Sequence, residues 1–511
     1  MLTGELLAAS ARRYAERPAV VGRGRSLTYA RLDALANRCA HALLALGVQR
    51  GDRVGLLAPN LWQFPAAYFG IAKAGAISVH LPVRFAKGEL EHALARVPLA
   101  ALIIDGALSM QLEWVRPYLR HDRVLVIDPA PVADAVSFEA LLEQASDVAP
   151  RVDIDANSAA AILFTSGTTG FPKGALQTHA GRFLSARVAL TDFALSERDV
   201  LGVASPLYHA AGLYTWFQTG VLAGACAVLF DAWDPARLID AVDRQRITGF
   251  FAVPAQLAML RRHERFDPAR LRSLRVIVYG GAPASPALID ELERSLPHVR
   301  FVQNYGQTET GPLFSQSSAD RRANAAAIGR PNRTIEIGLF AAPGTPAAPG
   351  EVGEIATRGV HVTPGYFGDE PATRELYRGG DDWAWTGDLA IADAAGHLTL
   401  VGRSKDTIIA GGINVYPSEI ERVARAHPAI ADCAAFGLPD ATWGELPALA
   451  VVVKPGCTLA ADEVVALYES DEIGRFKRPR TVFFVDALPY TPAGKLLRGE
   501  LKKRFPIPSQ E

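Results

Sequence analysis

The 511-residue sequence predicts an α/β protein: a large N-terminal domain of parallel sheets flanked by helices, followed by a small α+β domain. Three observations carry that expectation. Short continuous apolar runs alternate with segments of roughly 10–18 residues at helical spacing, as expected for parallel strands buried on both faces by helices. Near residue 325 the texture changes to short Gly- and Pro-rich runs, which read as a small antiparallel β subdomain over 325–400. A new unit of strands and helices begins after Gly402–Arg403, and about 105 residues suffice for a small domain.

The elements follow in order. Thr28 can cap a helix from Tyr29 to Leu46, which Gly47 ends. Asp52–Leu57 reads as a strand, Leu61–Ala74 as a helix stopped by Gly75, and Ala76–Leu81 and Ala100–Asp105 as strands. The apolar runs resume at Ala161–Thr165, Val200–Ala204, Ala227–Phe230, Gly249–Val253, Arg275–Tyr279 and Arg300–Gln303. Pro349–Gly350 and Gly396 mark hairpin turns. Ser418–Ala426 reads as a helix, and Asp432–Gly437 and Ala448–Lys454 as strands.

Apolar residues make up 49% and charged residues 21%, enough core to exclude a disordered chain. The net charge of −1 argues against a general nucleic-acid binder, which needs a basic surface. No apolar stretch reaches the ~20 uninterrupted residues of a membrane span. The first residues lack a basic stretch followed by an apolar one, so no secretory signal is expected. PIPSQE at the end is no peroxisomal or retention signal. Cys39, Cys226, Cys433 and Cys457 are scattered, without metal-ligand spacing, which fits a reducing cytoplasm.

The sharpest feature is Thr165-Ser166-Gly167-Thr168-Thr169-Gly170-Phe171-Pro172-Lys173-Gly174, directly after the strand residues AILF. Its hydroxyls and glycine backbone N–H groups suit anionic oxygens, and Lys173 adds charge. The pattern is not the Walker loop, and no helix start is evident before His179. A phosphate cradle at a strand end is expected. Between Ile473 and Phe505 nine basic residues face two acidic ones, a local charge of +7.

The cradle resembles the phosphate loop of the adenylate-forming superfamily: acyl-CoA synthetases, aryl-CoA ligases, luciferases and adenylation domains. Other segments match that family in order. They are Tyr279–Pro283, Asn304–Glu309, Trp385–Asp388, Gly402–Asp406 running on to Gly411–Glu421, and Pro489–Lys495. Together they span essentially the whole chain and most resemble an acyl-CoA synthetase of the fatty-acid–CoA ligase type.

The resemblance implies an AMP-binding domain over 1–402 containing a β-barrel-like subdomain, a hinge at 403–405, and a mobile C-terminal domain over 406–511. It implies ATP, Mg²⁺ and coenzyme A as second substrate. Thr165, Ser166, Gly167, Thr168, Thr169, Gly170 and Lys173 would hold the β- and γ-phosphates. Glu309 and Thr165 would hold Mg²⁺ in an oxygen shell; the lesser alternative for Glu309 is a helix N-terminal carboxylate. Gly281, Ala282 and Pro283 would line the adenine edge, with Asn304, Tyr305, Gly306 and Thr308 beside them. Asp388, in a T-G-D turn, would accept from the ribose hydroxyls, and Arg403 would donate to the sugar or a phosphate.

Lys495 would bridge the acid's carboxylate and the α-phosphate, lowering the barrier between two anions. Lys405 would be the hinge, exchanging Lys495 for the Gly411–Gly412 loop between the two half-reactions. The basic C-terminal patch would attract the phosphates of coenzyme A. The acyl pocket would form from Pro206–Leu213, Phe251–Pro254 and Tyr279–Gly281. None of these holds an Arg or Lys, which argues against a dicarboxylate such as malonate. An apolar monocarboxylic acid, aliphatic or aromatic, is expected, with His209 gating the pocket or orienting the carboxylate.

The expected reaction runs from acid and ATP to acyl-AMP and pyrophosphate, then to acyl-CoA and AMP. A carrier-protein thiol, an amine or oxygen as acceptor, and a non-catalytic ligand-binding relative, stand as alternatives. No nucleic-acid or membrane partner is expected, and a homodimer is compatible with the sequence.

Overall fold

The computed structural model describes residues 1–505 except 122, 129–134, 167–171, 411–412, 441, 470–474 and 491–495. Internal packing groups the chain into two units. The first comprises Met1–Ala325, Gly329–Ile337 and Thr357–Ala384; the second comprises Ala326–Ile328, Gly338–Ala356 and Trp385–Glu511. The second unit therefore takes in half of the β-rich stretch that the sequence reading grouped with the large domain.

In chain order the strands of the first unit are β1 (Pro18–Gly22), β2 (Arg25–Thr28), β3 (Arg53–Leu57), β4 (Ile77–His80), β5 (Ala101–Asp105), β6 (Val124–Ile127), β7 (Val136–Ser137), β8 (Ala159–Ser166), β9 (Pro172–Thr178), β10 (Val200–Val203), β11 (Cys226–Leu229), β12 (Gly249–Ala252), β13 (Val276–Gly280), β14 (Arg300–Gln307), β15 (Gly311–Ser317) and β16 (Arg330–Pro331). They form a seven-stranded sheet, β7-β6-β5-β3-β4-β8-β9, and a nine-stranded sheet, β16-β15-β14-β13-β12-β10-β11-β1-β2. The strands are parallel in the middle of each sheet. The expectation of parallel sheets needs one amendment: β9, β2, β15 and β16 join antiparallel at the edges.

Why the runs are continuously apolar is now visible. In β5, Ala101 and Ile103 enter a core shared with the other sheet, while Leu102 and Ile104 enter a second core on the far face. In β13, Val276 and Val278 share the first core, and Ile277 and Tyr279 enter a third. The shared core also holds Leu43, Phe64, Phe69, Phe193, Trp216 and Phe217 from the helices between the sheets. Each such Leu, Ile or Phe contributes about 1.5–3 kcal/mol on burial. Thr28 caps the helix Tyr29–Ala45 by accepting from the backbone N–H of Arg31, as its place before the apolar period predicts.

In the second unit, β17 (Glu336–Ala342), β18 (Thr345–Pro346), β19 (Val352–Arg358), β20 (Ala384–Ala392) and β21 (Leu398–Arg403) form a sheet of order β18-β17-β19-β20-β21. Gly350 and Gly396 take φ of +83° and +81° at its turns. Further on, β22 (Ile408–Ala410), β23 (Ile413–Val415), β24 (Ile430–Asp440) and β25 (Gly444–Val453) form a second sheet, with β26 (Thr481–Phe484) beside β25. The helix Pro417–Arg425 packs Ile420 and Ala424 against it. Among the described residues no helix is long and apolar enough to cross a membrane.

Candidate active site

The described ends of the expected phosphate cradle lie on two paired antiparallel strands. Strands β8 and β9 pair so that Thr165 faces Lys173 and Ser166 faces Pro172. The sequence reading marked no element between Thr165 and His179; Pro, Lys and Gly are poor strand formers, and pairing with β8 overrides that preference. Gly167, Thr168, Thr169 and Gly170, and the side chain of Ser166, lie outside the described residues. Lys173 places its ammonium 5.4 Å from the centre of the Tyr366 ring.

Parallel neighbours β13 and β14 bring the next two segments together at their C-terminal ends, where open α/β sheets bind ligands. Gly280 faces Asn304, and a Cβ there would lie 2.2 Å from the Asn304 carbonyl oxygen. Gly281 follows at φ +81°, turning the chain into Ala282 and Pro283. Asn304 donates its Nδ2 to the Phe314 carbonyl at 3.3 Å, and the Tyr305 ring meets Phe314 edge-on at 5.7 Å. Gly306 lies against β15, where a Cβ would come within 2.1 Å of the Gly311 oxygen.

Glu309 stands in the β14–β15 turn, not at a helix N-terminus, and is 9% exposed. Its Oε1 accepts from the Tyr366 hydroxyl at 2.7 Å. Its backbone carbonyl accepts from Thr363 N at 2.7 Å, and Gln177 Nε2 donates to the Thr308 carbonyl at 3.1 Å. The β9 hairpin and the Glu309 turn are thus tied by residues that the sequence reading passed over. Tyr366, Thr363 and Gln177 carry no periodicity or motif of their own; the nearest signal is the glycine–aromatic run PGYFG.

His209 lies between β10 and a π-helix, Ala211–Gln218, with its ring 4.8 Å from Tyr208. Burial, helped by the charge of Arg84, pulls its pKa down to about 4, so the imidazole is neutral at pH 7. Tyr208, Phe251 and Tyr279, from the three segments expected to form the acyl pocket, are buried. Arg84 belongs to none of the three segments named for the pocket, so the sequence survey could not have found it.

In the second unit Asp388 lies inside β20, not in a free-standing turn. Gly387 takes φ +72° within the strand and kinks it, and its N–H is held by Glu354 at 2.9 Å. Asp388 is 5% exposed, faces Arg403 across β20–β21, and accepts from its Nε at 2.8 Å. Lys405 sits in a short 3-10 turn and lines a cleft of about 750 Å³ with Ile409, Trp443 and Lys502. Much of the basic C-terminal patch is internally neutralised. Lys477 meets Glu419 at 2.6 Å, Arg498 meets Glu421 at 2.5 Å and Lys502 meets Glu445 at 2.8 Å. Gly411, Gly412 and Lys495 lie outside the described residues.

Glu309 and Thr165 offer a carboxylate and a hydroxyl, hard oxygen donors that suit Mg²⁺ completed by phosphate and water.

Known proteins bear on this geometry. A family model described as AMP-binding enzyme matches residues 7–367, and one described as AMP-binding enzyme C-terminal domain matches 419–495. The chain is 37% identical to a feruloyl-CoA synthase of an Amycolatopsis species, over 94% of both chains. It is 33% identical to the long-chain-fatty-acid–CoA ligase FadD13 of Mycobacterium tuberculosis, over 94% of this chain and 93% of that one. The ATP-bound crystal structure of MatB from Rhodopseudomonas palustris superposes with a TM-score of 0.90 at 27% identity, covering 99% of each. The chain belongs to the AMP-binding, adenylate-forming enzymes, and within them to the ATP-dependent acyl- and aryl-CoA synthetases.

Proposed function

We propose that the acid is an apolar monocarboxylate and that the residues assembled above divide the two half-reactions among them. A carboxylate oxygen of the acid attacks the α-phosphorus of ATP, forming the acyl-AMP anhydride as the bond to pyrophosphate breaks. The thiol of coenzyme A then attacks the acyl carbon, and AMP leaves. Lys173 and the hydroxyls of the 165–169 loop hold the β- and γ-phosphates. Glu309 and Thr165 hold Mg²⁺, which when bound neutralises charge on the departing pyrophosphate. Tyr305 and Gly281–Pro283 receive adenine, and Asp388, steadied by Arg403, accepts from the ribose.

Lys495 places its ammonium between the two reacting anions, and Lys405 is the hinge about which the C-terminal domain turns between the steps. His209 acts as a neutral imidazole, a hydrogen-bonding or gating group and not a counter-ion. A cytoplasmic setting accompanies this reading, supported by four free cysteines.

The observation that carries the proposal is the tie between the Lys173 hairpin and the Glu309 turn. It supports a cation and an anion held ready for one triphosphate. The test is a panel of carboxylic acids scored for Mg²⁺-dependent pyrophosphate release and for CoA thioester. Aryl and aliphatic monocarboxylates should score in both. Because Arg84 adds a positive charge near His209, the panel includes acids bearing a second carboxylate at the far end. Preference for those would overturn the monocarboxylate reading.

A further inference from the structure

Residues 361–368 form a strap between the two halves of the triphosphate site within the first unit. Its start is fixed by the buried Arg182, whose Nη2 donates to the His361 carbonyl at 2.7 Å. Thr363 gives its N–H to the Glu309 carbonyl and its hydroxyl to the Leu176 carbonyl at 2.6 Å. Leu176 N donates to the Gly365 carbonyl at 3.0 Å, and Phe367 N to the Gly174 carbonyl at 2.8 Å. The strap thus pairs antiparallel alongside β9 on one side and grips the Glu309 turn on the other.

Tyr366 lies at the middle of this strap and touches both charged groups. An ionised carboxylate only accepts, so its hydroxyl is the donor to Glu309 Oε1. Its ring face offers the Lys173 ammonium a patch of negative potential. Among the described residues neither Lys173 nor Glu309 is in an ion pair. A direct Lys173–Glu309 bridge would have to break whenever ATP bound.

We infer that Tyr366 is a positioning residue. It fixes the rotamer of Glu309 for the metal and parks Lys173 on its ring, keeping the two charges apart until the triphosphate arrives. The inference rests on the roles proposed above for Glu309 and Lys173.

Three variants test it. Tyr366→Phe removes the donor and keeps the ring, Tyr366→Leu removes both, and Tyr366→Gln restores a donor without the ring. Circular dichroism and thermal unfolding check the fold. Two quantities are read: the Mg²⁺ concentration giving half-maximal pyrophosphate release, and ATP affinity by calorimetry without Mg²⁺. Tyr366→Phe should raise the first by about 10-fold, the order expected for one hydrogen bond to a charged group, and leave the second unchanged. Tyr366→Leu should shift both, and Tyr366→Gln should recover the Mg²⁺ dependence alone. A wild-type Mg²⁺ dependence in Tyr366→Phe overturns the inference, as does an equal shift in both readouts. Glu309→Gln separates the layers. If it moves the Mg²⁺ dependence and Tyr366→Phe does not, only the inference fails. If Glu309→Gln moves nothing, the metal role of Glu309 fails and takes the inference with it.

Discussion

His179 does a job at the start of its helix that its sequence position hides. Its Nδ1 accepts from the backbone N–H of Thr3 at 3.2 Å, capping the helix Thr3–Arg13 from 176 residues away. The ring is 1% exposed, and burial draws its pKa down from the ordinary 6.5 to about 4. The unfolded chain therefore binds a proton between pH 6.5 and 4 that the folded chain refuses. Stability from this residue is complete above pH 6.5 and is lost as pH falls toward 4, by about 3 kcal/mol. Urea midpoints measured across that range should fall steeply in the wild type and less steeply, by one proton's worth of slope, in His179→Gln. Equal slopes would refute the lowered pKa of the buried imidazole. The contrast with Lys173 is instructive. A lysine among four hydroxyls and three glycines announces its chemistry, whereas His179, Tyr366 and Arg182 act through partners more than a hundred residues distant along the chain or set in a featureless loop. Composition and spacing carry no trace of those contacts.

Among elements, strands buried on both faces were the easiest to read, because each lies in a short, nearly unbroken apolar run. Val200–Val203, Gly249–Ala252 and Val276–Gly280 fall within a residue or so of where the sequence places them. The hairpin strands β9 and β15 were harder. Pro172–Thr178 carries Pro, Lys and Gly, and Gly311–Ser317 opens on Gly-Pro, so pairing and not propensity sets their conformation. Glycine explains how β14 and β15 close. The register shifts between Tyr305 and Gly306, and a Cβ on Gly306 would lie 2.1 Å from the Gly311 carbonyl oxygen. Backbone meets backbone there, so no rotamer can relieve the contact. Gly306→Ala should force the strands apart exactly where the hairpin carries Tyr305 and Glu309. We expect a loss of about 2 kcal/mol or more in unfolding free energy and a rise in the KM for ATP larger than the fall in kcat. A variant with wild-type stability and KM would show that the hairpin does not hold the nucleotide.

At the scale of the whole molecule, packing and motion need not divide a chain in the same place. The sequence places a boundary at 403–405, where a new unit of strands and helices begins and the family pattern puts a hinge. Contacts divide the chain earlier, sending Trp385 onward into the second unit because β20 and β21 pair with β19 and β17 in one sheet. A hinge at Lys405 would thus open inside a packed unit, between that sheet and the sheet that begins at Ile408. The geometry there is permissive: Lys405 sits in a single 3-10 turn beside a cleft, and Arg403 before it is anchored to Asp388. Proline at 405 would fix φ near −65° and remove one N–H, stiffening the turn while leaving the Arg403–Asp388 pair in place. Two assays separate the steps: pyrophosphate release from acid and ATP, and thioester formation from supplied acyl-AMP and CoA. Lys495→Ala should lose at least ~100-fold in the first and little in the second. Lys405→Pro should show the reverse, because its first step needs no turn and its second does. Equal losses of both activities in Lys495→Ala would remove that lysine from adenylation. An unchanged thioester rate in Lys405→Pro would place the pivot elsewhere, and the contact boundary near Trp385 would become the next position to stiffen.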